Sequence, residues 1–114
     1  MNDFKYPENY PNWEGRYEEL LKYKGFARAL ISTRKNHVNL NKENLLITEI
    51  DLPVYTVWGD SDSAVVYNDF KENLNKVLPN RFEYFVPKSG HLPNIENKEN
   101  FENYLFNTVL KEIK

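Results

Sequence analysis

The chain has 114 residues, a formal net charge of −2 and no cysteine. This allows one domain with a modest core and removes disulfides, thiolate chemistry and cysteine metal sites. A sequence pI of about 5.7 leaves no basic field for a phosphate backbone or an anionic lipid surface, so neither nucleic acid nor membrane is expected as a partner.

The mean hydropathy is −0.73, yet 40% of residues are hydrophobic and 15% aromatic. They cluster periodically, as in a globular chain. The first seven residues lack the apolar core of a signal peptide, and no apolar run reaches membrane-spanning length, so a cytoplasmic location is expected. Residues 1–15, with Pro7, Pro11 and Gly15 among tyrosines and asparagines, read as irregular, peripheral structure.

From Tyr17 to about Ser32, Leu20, Leu21, Tyr23, Phe26, Ala27, Leu30 and Ile31 fall at helical spacing, with Glu18 and Glu19 in the first turn where the helix dipole favours them. Gly25 inside this helix costs roughly 1 kcal/mol against alanine, which points to close backbone packing. Residues 34–44 are polar and read as a solvated connection. Residues 52–58 follow, opened by Pro53, which suits a strand's first position. Val54-Tyr55-Thr56-Val57-Trp58 is β-branched or aromatic on both faces, the pattern of a strand covered on both sides.

Residues 68–78 put Phe70, Leu74, Val77 and Leu78 on one helical stripe, and Pro79 stops the helix. Residues 81–86 alternate Phe82, Tyr84 and Val86 with Arg81, Glu83 and Phe85, as a more exposed or edge strand does. Asn97 is a natural N-cap for a closing amphipathic helix over 98–113, carrying Phe101, Leu105, Val109 and Ile113. The expected order is α-β-α-β-α: a small parallel two-stranded sheet flanked by helices, joined by a right-handed crossover.

Parallel strands bring their C-terminal ends to one edge, where functional residues of open α/β sheets collect. Asp62, in Trp58-Gly59-Asp60-Ser61-Asp62, and His91, in Ser89-Gly90-His91-Leu92-Pro93, both lie just past such ends. A histidine shuttles a proton at neutral pH, and a carboxylate on its other ring nitrogen fixes the tautomer and stabilises the imidazolium.

These two stretches, with Val77-Leu78-Pro79 between them and Asn94-Ile95-Glu96 after them, resemble the C-terminal part of an α/β-hydrolase. In that family the penultimate strand ends in W-G-x-x-D, whose aspartate is the triad acid. The last strand leads to a G-H turn carrying the base, then an acidic residue and a closing helix. The resemblance implies Asp62 as acid and His91 as base, with neither cofactor nor metal. Lys22-Tyr23-Lys24-Gly25-Phe26-Ala27-Arg28-Ala29-Leu30 resembles the family's helix between lid and penultimate strand. One partial domain over 1–114 is thus implied, with 1–16 as a lid-like segment and 17–114 as core.

The chain departs from the family in lacking the Gly-x-Ser-x-Gly nucleophile elbow and the oxyanion-hole loop. Two milder departures are Val66 and Lys98, where many members place proline. Ser32, Ser61, Ser63 and Ser89 sit in no elbow, and Ser61 and Ser63 suit caps of the turn around Asp62. His37, in a polar stretch, reads as solvated surface. Asp60-Ser61-Asp62 is also similar to the Asp-x-Asp turn of magnesium-dependent phosphatases, but Gly59 intervenes and the downstream acidic metal motif is missing. The expected partners are a complementary N-terminal hydrolase half or further copies of the chain. A non-catalytic, self-associating or partner-binding domain is the alternative function.

Overall fold

Two parallel strands form the centre of the structure, a computed structural model that describes residues 3–112. Strand β1 (Tyr55–Gly59) lies beside β2 (Phe82–Val86), with Tyr55 opposite Phe82 and Gly59 opposite Val86. The ladder runs one bond past each end, from Phe82 N to Val54 O at 2.8 Å and from Asp60 N to Val86 O at 3.1 Å. This alternation turns Thr56 and Trp58 toward β2 and directs the backbone N–H and C=O of Val57 to the outer edge.

Helix α4 (Tyr67–Val77) makes the crossover. Its last turn is buried at Val77 and Leu78, and Pro79, which has no N–H to donate, follows. A polar clamp holds it to β2: the Arg81 guanidinium donates to Glu83, Asn75 and the Leu78 carbonyl, while the Tyr67 hydroxyl donates to Glu83 Oε2 at 2.7 Å. The alternation over 81–86 suited a more exposed or edge strand, yet the Arg81 side chain is only 4% exposed.

Before β1 the chain forms three helices where one was expected: α1 (Trp13–Leu21), α2 (Phe26–Lys35) and α3 (Asn41–Glu49), preceded by a 3-10 turn at Pro7–Asn9. The expected helix over 17–32 is broken at Gly25, which adopts φ of +90°. A Cβ there would meet nothing within 4 Å, so this glycine supplies a left-handed turn and not close packing. Helix α3 begins inside the stretch expected to be a solvated connection. Asn39 accepts from Asn41 N at 2.7 Å, Thr48 Oγ1 donates to Val77 O at 2.8 Å, and the Asn41 and Asn73 amides pair, so α4 supports α3.

After β2 come a short α5 (Pro93–Glu96) and α6 (Lys98–Tyr104), which passes through a π-helical turn (Leu105–Val109) into α7 (Leu110–Glu112). Asn97 caps α6 as its sequence position suggests, accepting from Asn100 N at 3.4 Å while donating to Pro87 O at 2.8 Å. Tyr104 stacks on Tyr84 with centroids 4.4 Å apart, seating α6 on β2. Ile113, expected on this helix, lies outside the described residues.

The result is a mixed α/β domain with a small core. Val77, Leu78, Val86 and Phe4 are its buried apolar residues among those described. Residues 55–58 are half-buried, short of the two-sided cover that their composition suggests. No residue of α1, α2 or α3 is buried; Tyr23 is 70% and Ile50 71% exposed. The radius of gyration is 16.6 Å, against about 13 Å for a compact domain of this length. The accessible surface is 9049 Å², roughly 2,500 Å² above that of a typical folded monomer of this mass. Among the described residues no helix is long and apolar enough to cross a membrane.

Candidate functional site

The turns after β1 and β2 meet backbone to backbone. A Cβ on Gly59 would overlap Gly90 O and stand 2.6 Å from Ser89 O, so only a glycine lets the two strand ends approach. Ser61 N donates to Ser89 O at 3.0 Å, and Ser89 N donates back to Asp60 Oδ1 at 3.3 Å. Ser89 is fully buried and its hydroxyl donates to Val86 O at 2.8 Å, closing the second turn from within.

On this platform the Asp62 carboxylate and the His91 imidazole come together, Nδ1 to Oδ2, at 2.9 Å. The other oxygen of Asp62 accepts from Ala64 N at 2.8 Å and Val65 N at 2.9 Å, so the aspartate caps its own turn while it faces the histidine. Burial pushes the Asp62 carboxyl up; the Val65 N–H, the His91 ring and the Ala64 N–H outweigh it and hold the group below its ordinary value. The Asp62 side chain is 7% exposed and that of His91 40%. An ionised, shielded acid thus orients an imidazole whose Nε2 is the nitrogen a reacting hydroxyl would meet.

Residues 3–6, in the stretch expected to be peripheral, lie across the histidine turn. His91 N donates to Asp3 O at 2.7 Å. Glu96 receives Lys5 N at 2.8 Å and Tyr6 N at 3.2 Å on Oε1, and Gly90 N on Oε2. Phe4 is buried, stacked on Tyr10 with centroids 4.0 Å apart and edge-on to Trp13 at 4.9 Å. Phe4, Tyr10 and Trp13 were the aromatic signal of a packed segment, which the prolines and asparagines around them obscured. Beside α5 an apolar cleft of about 460 Å³ opens between Trp13, Tyr17, Leu20 and Ile95.

The other candidates are engaged elsewhere. Asp60 accepts from Ser61 Oγ at 2.8 Å and lies 3.7 Å from Lys5 Nζ, so the two acids of the Asp-x-Asp stretch serve different partners. Ser61 therefore braces Asp60, not the Asp62 turn that it was expected to cap. Among the described residues no three metal-ligating side chains converge. Ser32 accepts from Asn36 on α2, and His37 is exposed. Comparison with protein-family models, curated proteins and solved structures returns no match to this chain.

Proposed function

We infer that this chain is the C-terminal part of an α/β-hydrolase and supplies the acid and base of a Ser-His-Asp site, Asp62 and His91. The serine and the oxyanion donors come from an N-terminal half, on a preceding stretch of the same polypeptide or on another chain. The observation that carries this reading is the 2.9 Å contact between Asp62 and His91 past the C-terminal ends of adjacent parallel strands. In the reaction, Nε2 of His91 takes the serine proton as the serine oxygen attacks an ester or amide carbonyl. It then delivers that proton to the leaving group, and water repeats the cycle to release the acid.

The uncovered faces suit the same reading. An N-terminal half would pack beside Val57 of β1 and on the exposed apolar side chains of α1–α3. The excess of roughly 2,500 Å² is within the range buried in obligate interfaces. The occupant proposed for them is that half. Association of copies without catalysis is the alternative, and the same exposed faces favour it.

The test is hydrolysis of an activated ester by the chain alone and after assembly with a hydrolase N-terminal half bearing a Gly-x-Ser-x-Gly elbow. The chain alone is expected to be inactive, for want of a positioned nucleophile and oxyanion donors. The assembled pair is expected to turn over, with Asp62→Asn lowering kcat by about 10⁴-fold and His91→Ala removing it. A folded, stoichiometric complex with no turnover, or turnover indifferent to both variants, overturns the reading.

A further inference from the structure

One side chain outside the pair joins two distant stretches of the chain at the site. Glu96 lies five residues beyond His91, at the end of the four-residue α5. Its carboxylate accepts three backbone N–H groups: those of Lys5 and Tyr6, 91 and 90 positions away, and that of Gly90, which adjoins His91. The His91 N–H is in turn held at 2.7 Å by the carbonyl of Asp3, two residues before Lys5. A Cβ on Gly90 would stand 2.8 Å from Lys5 N and 2.9 Å from Asp3 O, so the two backbones touch with no side chain between them.

We propose that Glu96 is a positioning residue for His91, binding the strap of residues 3–6 to the histidine turn and so fixing where the imidazole meets Asp62. The inference rests on the hydrolase reading for its purpose but on the hydrogen bonds of Glu96 for its substance. Two consecutive amides, Gly90 and His91, set the backbone from which the ring projects. Glu96 holds the first directly and the second through the strap. Bonds from N–H to an ionised carboxylate are about twice as strong as neutral ones, and three on one group make the turn stiff. Asp62 is fixed independently, by the Ala64 and Val65 amides within its own turn. Loosening Glu96 therefore moves one partner and leaves the other in place, and a displacement of about 1 Å takes the 2.9 Å contact beyond hydrogen-bond range.

The test reads the His91–Asp62 bond itself. In the full chain carrying isotope-labelled histidine, the Nδ1–H proton of His91 is expected to give a protected, downfield NMR resonance, assigned by its loss in Asp62→Asn; exposed His37 serves as internal reference. In Glu96→Ala this resonance is expected to disappear while the amide pattern of β1, α4 and β2 persists. Glu96→Gln keeps an oxygen for Lys5 and Tyr6 but turns an NH2 toward Gly90 N–H, so the resonance is expected to broaden or weaken. A folded Glu96→Ala chain with an unchanged resonance overturns the proposal. If that variant does not fold, an unchanged resonance in Glu96→Gln overturns it equally. A wild-type chain without the resonance overturns it too, since no bond would exist to position. If the assembled pair proves inactive while the resonance responds as expected, the hydrolase reading falls and the positioning role of Glu96 stands.

Discussion

Asp62 answers three demands with one carboxylate: it closes its own turn, orients His91 and remains ionised while shielded from water. Its ionisation is easier in the folded chain than in the unfolded one, so ionisation favours folding. That stabilisation is complete above the ordinary aspartate value of 3.8 and is lost as pH falls through the lower folded-state value. Asp60 shifts in the same direction: burial pushes it up, and backbone N–H groups, the Ser61 hydroxyl and Lys5 outweigh that. The thermal midpoint is therefore expected to be insensitive to these two groups at neutral pH and to drop below about pH 4. In Asp62→Asn the acid-side decline should be shallower. Equal declines in the two proteins would show that the Asp62 carboxylate has no favourable partners in the folded state.

At the scale of elements, the segments legible in the sequence are those whose reason for forming lies within them. The β-branched and aromatic run at 54–58 and the apolar stripe of α4, ended by Pro79, carry their own periods, and both form within a few residues of their expected bounds. Asp62 and His91 were legible because each follows such a strand. What escaped is held by distant partners. Helix α3 leans on α4 through Thr48 and the Asn41–Asn73 amide pair, and residues 3–6 depend on Glu96, so no local pattern announces either. Gly25 was visible, but its role was misread, because a glycine between helices breaks them by its left-handed φ. The Arg81–Glu83–Tyr67 clamp belongs to this scale too, since it joins β2 to the start of α4. Glu83→Ala strands the buried Arg81 charge and is expected to destabilise the domain by about 2 kcal/mol, read as a lower urea midpoint. Glu83→Gln, which keeps an acceptor, should lose less. A midpoint unchanged in the alanine variant would mean the clamp forms without stabilising the crossover.

The whole molecule has more surface than its core supports. Leu46, Ile50, Leu52, Leu30 and Ile31 are exposed on the helices and connection before β1, and the outer edge of β1 carries the Val57 backbone polar groups. Exposed strand edges beside apolar side chains recruit other chains. In sedimentation at low micromolar concentration the isolated chain is expected to run as a dimer or larger, well above its 13.6 kDa. Addition of a fitting N-terminal half should convert it to a one-to-one complex. A monomer with a single cooperative melt would show that α1–α3 cover the sheet in solution.

The strap across the histidine turn also orders events in time. Glu96, the carboxylate partner of Lys5 and Tyr6, is made about ninety residues after them, so the strap must wait until that length of chain exists. Closing a loop of that length costs about 4 kcal/mol of chain entropy, which is recovered only if β1, α4 and β2 have already folded and drawn the ends together. The strap is thus expected to close after those strands have formed. On warming, it is also the part expected to open first, with Lys5, Tyr6 and Gly90 exchanging their amide protons well before the strands that carry them.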